Sequence, residues 1–543
     1  MDHACRQTAV LLALTTWIMY AASATGTLMI DPFTRFSVAE NLFRTGSVAL
    51  EGPTKLSLEC DGRHYSVFFP GQSIVFLPVA AVSVAIEAIT DVDPDFTSIG
   101  ARFIACEFLM TAFAALSVLG HIAVLRRLGV RAKVAIASGV MLAFGSLLWI
   151  WGTNGSEEST LCALAIWTFW ALLDARDIGR AGSSGATPID PARAARFANR
   201  IGLAGVLIAF GLIHRSTFVG VGLGAAIYAA PILLRERSLA WAAWRRLAAW
   251  TVAIVGILAI VPFYDWVRFG DPLDMGYSRF HEPIGGLWAN PLLTGLAGHL
   301  VSPGESVFLY VPWLILLPIS LCLPAVRRRM GALFPVLLLI IAVHLLIYSL
   351  HTYWSGAFGW GVRFHVSLMA LLFVPIAVML DHLRPAGAMR VALAALASLS
   401  ILVQVAGISL NTGLENFQHP DHFRVDNRAI PEEAAWTWHG SQIRLRVINI
   451  AKKLRGEELE LDEDRRSLPT VTEWNLFPIR AGIALNDQRV VGALWVLWSL
   501  LTAMGLVFAW RTLSATRRLT DEGPRPRQGT PGTGEWSRRA AHD

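Results

Sequence analysis

Charge is scarce in this chain of 543 residues: Asp, Glu, Lys and Arg make up 16% of it, against 54% hydrophobic residues. Soluble domains carry roughly a quarter charged residues, so a string of soluble domains is excluded. Cysteine is scarce too. The five present (Cys5, Cys60, Cys106, Cys162, Cys322) are scattered without metal-ligand spacing. Only Cys60 falls in an expected external loop, which argues against a disulfide framework. The chain also lacks a Walker loop, a G-x-G-x-x-G after a strand, H-E-x-x-H, C-x-x-C and any internal repeat. Nucleotide and zinc-protease chemistry are therefore unsupported.

What the chain has instead is apolar runs of about 20 residues recurring from end to end, each long enough to cross a hydrocarbon core of about 30 Å. Mean hydropathy is +0.50 and there are 20 tryptophans. These features predict an all-α polytopic membrane protein. The formal charge of +6 and pI of about 9.2 fit arginines that fix topology and face anionic lipid, with no nucleic acid implied. The first run, Ala9 to Ile30, ends in "AASATG" like a secretory signal peptide. Its length of about 22 residues and the further spans predict a retained signal anchor.

Lys and Arg resist translocation, so basic loops mark the cytoplasmic side. They are 126–133, 174–200, 235–246, 327–331, 381–390 and the tail from Arg511. Pairs of spans between them predict about 12 transmembrane helices with both termini cytoplasmic. Segment 72–90 is apolar enough to span, yet crossing there would put every later basic loop outside. It is read as a juxtamembrane helix in a first external loop, 31–98, with an ordinary span as the alternative. Residues 411–490 then form an external polar segment or small lobe, 491–519 the last span with its basic end, and 520–543 a disordered tail.

With that topology, costly residues collect on one external face: Asp31, Arg35, Glu40 and Arg44, then Glu157 and Glu158, then His214 and Arg215. The loops "YDWVRFGDPLDMGY" (264–277) and "HTYWSGAFGWGVRFH" (351–365) join them. Ionisable groups at membrane depth usually face a cavity or a functional path. Singly, Arg268 or Arg363 reads as a snorkelling side chain and Glu157 as part of a solvated turn. Five loops supplying acids, arginines and aromatics to one face are harder to read that way. Glycine-rich "GAFGWG" and "SPGES" add irregular backbone of the kind membranes tolerate where it lines a cavity. Within "DPFTRFSVAENLFRTG" (31–46), Asp31 is the expected helix cap, Pro32 the first helical residue and Gly46 the stop.

These motifs, in this order over most of residues 10–410, resemble the GT-C superfamily of integral-membrane glycosyltransferases, the group that includes aminoarabinose transferase and protein O-mannosyltransferases. The residues that carry the resemblance are "AENLFRTGSVAL" after the first-loop acid, "GRHYSVFFPGQS" (62–73), "FGSLLWIWGTNGSEES", "GLIHRST", "YDWVRFGDPLDMGY", "LVSPGESVFLYVP" (300–312) and "WSGAFGWGVRF". The resemblance implies a GT-C-like catalytic bundle over 1–410, with juxtamembrane helices in the first external loop. It implies transfer of a hexosyl or pentosyl unit from a polyprenyl-phosphate donor to a glycan, lipid or protein acceptor at the periplasmic face of the bilayer. Asp31 takes the catalytic position and Arg215 the donor phosphate; Arg363 and Arg268 extend the phosphate set. Many relatives have Asp-Glu where this chain has Asp31-Pro32, and a lysine where it has Val67 or Glu305.

Displacing a polyprenyl phosphate builds positive character on the sugar and negative charge on the leaving group. Such a step needs a base (Asp31), arginines on the phosphate, and walls for the sugar. The expected substrate contacts are Glu157, Glu158, Tyr65, Tyr277, His351, Trp354 and Trp360. No cofactor is required. A divalent metal held by Glu157, Glu158 and Asp31 is possible but is not the expectation. A lipid or saccharide flippase is the alternative of a different class, and a polysaccharide polymerase or ligase differs only in donor and acceptor.

Overall fold

The first apolar run breaks in two. In the computed structural model, helix α1 (His3–Ala22) ends before Ser23, and helix α2 (Ile30–Thr45) starts where the run was expected to finish. The interruption has a partner outside the run. Glu107, in helix α4 (Ala101–Arg127), accepts hydrogen bonds from Thr25 Oγ1 at 2.5 Å and from the Gly26 amide at 2.7 Å. Gly26 there has φ 73°. Buried backbone amides must be paired, and this carboxylate supplies what a continuing helix would have supplied.

The structure describes residues 3–90, 100–181, 189–356, 359–418, 435–461, 471–484 and 488–519. The acidic stretch 91–99, residues 419–434, 462–470 and 485–487 of the segment 411–490, and the tail 520–543 lie outside the described residues. Among the described residues, nine helices are long and apolar enough to cross a membrane, fewer than the twelve expected. α1 and the Glu158–Arg180 helix fall outside the nine although each is long, because polar residues dilute them. Ala132–Phe144 and Pro312–Cys322 are apolar but short. Segment 72–90 lies within helix α3 (Gly71–Thr90), which is one of the nine. α3 packs along α2, with Phe36 edge-on to Phe76 at 6.0 Å, and leaves Val82, Ile86 and Ile89 exposed.

Between α2 and α3 lies a small antiparallel sheet that the sequence reading did not anticipate. Its strands are β1 (Ala49–Leu50), β2 (Ser57–Cys60) and β3 (Arg63–Ser66), in the order β1-β3-β2. Ala49 pairs with Tyr65, and Ser57 with Ser66. Asp61 and Gly62, with φ 50° and 71°, make the two-residue turn that positive φ values permit. The strand then delivers Phe68, Phe69 and Gln72 to the start of α3.

The helices have two chemically different ends. At one, Arg127 contacts Asp174 at 2.6 Å and Asp177 at 3.1 Å, while Arg200 contacts Asp174 at 2.6 Å. Arg131 and Arg329 both hold Asp381, at 2.7 and 2.6 Å. Running back along those same helices leads to Glu157, Arg215 and Arg363 at the opposite end. Ion pairs thus tie one end together while the acids and arginines of interest gather at the other.

Packing among the helices relies on close approach, since lipid offers no hydrophobic force between them. A Cβ built on Gly202 would stand 2.1 Å from the Trp250 ring on the Trp244–Phe269 helix. Gly202→Leu is therefore expected to cost about 1–3 kcal/mol through overpacking. A lower melting temperature in a fixed detergent would show it; an unchanged one would mean that Trp250 simply swings away.

Candidate functional site

Asp31 does not cap its helix. α2 begins one residue earlier, at Ile30, after Met29, whose side chain makes no capping bond. The Phe33 amide donates to Met29 O at 2.9 Å, and Pro32, lacking an N–H, gives up nothing in a first turn. The expected cap is corrected, and the carboxylate is left to a side-chain partner. That partner is Arg363, whose Nη1 lies 2.9 Å from Asp31 Oδ2. Both side chains keep some exposure, 15% and 14%, so the pair is reachable from outside.

One turn further along α2, Arg35 projects from the same face. It donates from Nη1 to Gln72 at 2.9 Å and from Nη2 to Glu157 Oε1 at 3.0 Å, and its guanidinium lies 3.9 Å over the Phe68 ring. Arg215, just after the Pro191–His214 helix, completes the cluster. Its Nε is 2.8 Å from Glu157 Oε1, its Nη2 2.9 Å from Glu158 Oε1, and its Nη1 3.5 Å from the Tyr348 hydroxyl. Burial works against the charge of Arg215, but Glu157, Tyr348 and Glu158 outweigh it and hold the pKa above its ordinary value. Three carboxylates, Asp31, Glu157 and Glu158, thus face three guanidiniums.

These groups open onto a cleft of about 580 Å³, counting its open mouth. Its walls are aromatic: Phe68, Phe69, Tyr277, Trp288, Tyr348, His351 and Phe364. His214 also lines it. A Cβ on Gly71 would come within 2.4 Å of the His214 ring, so only glycine lets the start of α3 close over that histidine. Burial pushes the Tyr277 hydroxyl up to about 12, with Asp31 adding to the effect. Burial, reinforced by His281 and the Arg215 and Arg363 charges, pushes His351 down to about 3. Its Nδ1 accepts from the Tyr353 amide at 2.9 Å, which leaves the neutral ring's proton on Nε2.

The lowered His351 pKa makes stability depend on pH. An unfolded histidine titrates near about 6.5, and His281 is lowered by burial as well. The stability gained by keeping these rings neutral is present above that value and is lost as pH falls towards the folded value. Melting temperature is expected to fall between about pH 6.5 and 4, and less so in His351→Phe. Identical acid profiles would contradict this.

Of the residues singled out by sequence, Asp31, Arg215, Arg363, Glu157, Tyr277 and His351 line this one cleft. Glu158 stands behind it, fully buried, gripped by Arg215 and Ser156. The others are elsewhere. Arg268 is buried in a clamp with Asp265 and the Ser66 and Phe68 carbonyls, under Tyr264. Tyr65 packs edge-on against Phe269. Trp354 packs against His299 and Trp436. Trp360 is fully buried between Tyr310 and the Arg446 guanidinium. Sequence reasoning placed Arg35 on this face without giving it a role, and left out Phe68, Phe69, Trp288 and Tyr348. Arg35 had a signal, its four-residue spacing from Asp31; Trp288 had none. Among the described residues, no group of three or more His, Cys, Asp and Glu is placed to hold a metal ion; the acids here are turned to arginines instead.

No family model matches the chain, and no curated protein does. Among solved structures it is similar to an oligosaccharyltransferase from Archaeoglobus fulgidus. With that enzyme's complex with Zn and sulfate, identity is 14% and the TM-score 0.45, covering 77% of this chain and 56% of that one. With its apo form the values are 14% and 0.44, covering 78% and 59%. The chain therefore spans less than two thirds of the length of either.

Proposed function

We propose that this protein is a membrane glycosyltransferase that moves a sugar from a polyprenyl-phosphate donor to an acceptor hydroxyl. The observation that carries this reading is the cleft itself, where a reachable carboxylate, three arginines and a ring of aromatic walls meet at one end of the bundle. Asp31 takes the acceptor proton, Arg215 and Arg363 attract the phosphate, and Tyr277, Trp288 and Phe364 flank the sugar. A single displacement inverts the anomeric centre. The donor is lipid-borne, which fits a chain without a nucleotide-binding motif. Both termini are cytoplasmic and the cleft faces the periplasm or exterior, since the opposite end carries the basic loops.

The test is transfer by the purified protein in lipid nanodiscs supplied with a radiolabelled pool of polyprenyl-phosphate sugars and cell-envelope acceptors. Labelled product and free polyprenyl phosphate are expected together, with inverted linkage by NMR. Lipid-linked sugar that crosses a vesicle membrane unhydrolysed and untransferred would establish the flippase reading instead.

A further inference from the structure

The arginines of the cleft differ in what they have left to give. Arg215 has its Nε, Nη1 and Nη2 occupied by Glu157, Tyr348 and Glu158. Arg35 has both terminal nitrogens on Gln72 and Glu157, and its buried Nε, like that of Arg363, finds no acceptor among the described residues, so the two differ in how many points anchor them. Arg363 holds Asp31 through Nη1, and its buried Nε has no acceptor among the described residues. Rings flank it, Trp151 and Phe364, each 5.6 Å from its guanidinium carbon, and the buried Glu158 carboxylate acts on it through space. Arg363 is thus anchored at one point and has an idle donor. Among the described residues, the carboxylate it pairs with directly is the one assigned to take a proton.

We propose that Arg363 changes partners during turnover, passing from Asp31 to the departing phosphate as Asp31 is protonated. This rests on the glycosyltransferase reading and says how its charges move. The acceptor O–H bond breaks and its proton goes to Asp31. The acceptor oxygen's electron pair forms the bond to the anomeric carbon, and the bond from that carbon to the phosphate oxygen breaks with its pair on the phosphate. Asp31 goes from −1 to neutral while the phosphate diester at −1 becomes a monoester dianion at about −2. Total charge is unchanged, but the anion has moved across the cleft. A guanidinium between the two sites loses one partner as the other appears. Its attraction to phosphate is weakened in the resting state by Asp31 and is fully available only as the leaving group forms. Interactions stronger in the transition state than in the ground state are those that accelerate a reaction.

Arg363→Gln in the transferring enzyme tests this, with Asp31→Asn and the double variant alongside. Hand-over predicts that Arg363→Gln lowers kcat about 10²–10³-fold with the donor KM changed by less than about threefold. It also predicts that the double variant has a kcat no more than about threefold below that of Asp31→Asn, because with Asp31 neutralised Arg363 already rests on the donor phosphate and no longer moves to it during the step. A raised donor KM at unchanged kcat would make Arg363 a fixed clamp and overturn the proposal, as would effects that multiply in the double variant. If Arg363→Gln fails to fold, Arg363→Lys makes the same distinction between kcat and KM, having charge but a single point of contact. No sugar transfer by the wild-type protein would overturn the glycosyltransferase reading itself, a different result from transfer with the wrong kinetic split.

Discussion

Asp31→Asn is expected to abolish nearly all sugar transfer while leaving the protein folded, and to tighten rather than weaken donor binding. Asparagine keeps the shape but cannot accept a proton, and the loss of a positioned base typically costs about 10²–10⁴-fold in rate. Stability should fall only modestly. The Asp31–Arg363 pair keeps 15% and 14% exposure, so its loss should lie between the about 0–1 kcal/mol of an exposed pair and the about 3–5 kcal/mol of a fully enclosed one. The direction of the donor effect is the distinguishing part. With Asp31 neutralised, Arg363 loses its competing anion, so the donor KM should fall as kcat collapses. Steady-state kinetics on purified protein, with expression and melting temperature matched to wild type, measure both. Undiminished transfer would remove Asp31 from the mechanism, and a raised KM would mean that Asp31 itself orients the donor.

The sequence exposed the ends of the bundle better than its middle. Acids and arginines just outside apolar runs are legible because charge is costly in hydrocarbon, and Asp31, Glu157, Arg215 and Arg363 do come together in one cleft. What defeated the reading was contact between distant segments. Glu107 looks like a stray acid within a span, yet it ends the first helix by binding Thr25 and Gly26, and so shifts the start of α2 away from Asp31. Trp354 and Trp360 sit beside Arg363 in a glycine-rich motif and read naturally as sugar walls. Trp360 is instead covered by Arg446, which also grips Glu415 at 2.6 Å. The exposed wall is Trp288, in a loop with no local pattern to mark it. Arg268 shows the same limit for charge: its clamp on the Ser66 and Phe68 carbonyls depends on a small sheet that short, mixed strands hardly signal.

Arg215→Gln is expected to be the most destabilising change at the cleft. Its two carboxylate partners are almost completely enclosed, with Glu157 at 1% and Glu158 at 0% side-chain exposure. Removing the cation leaves Glu158 with only the Ser156 hydroxyl and Glu157 with only Arg35 among the side-chain bonds described. Breaking a buried pair in this way typically costs about 3–5 kcal/mol, and the loss falls hardest on Glu158, which keeps no hydrogen-bonded cation among the described residues while Glu157 keeps Arg35. Arg215→Lys should fall between, since one ammonium cannot reproduce the separate bonds from Nε and Nη2. The decisive control neutralises the acids too. In Glu157→Gln/Glu158→Gln/Arg215→Gln nothing charged is left unpaired apart from Arg35, so melting temperature and detergent-extractable yield should recover much of the loss. Transfer should stay absent, because the phosphate has lost Arg215. Recovery of stability without activity would separate the two roles of this arginine; a triple variant as unstable as the single one would show that shape, not charge, holds this corner of the cleft.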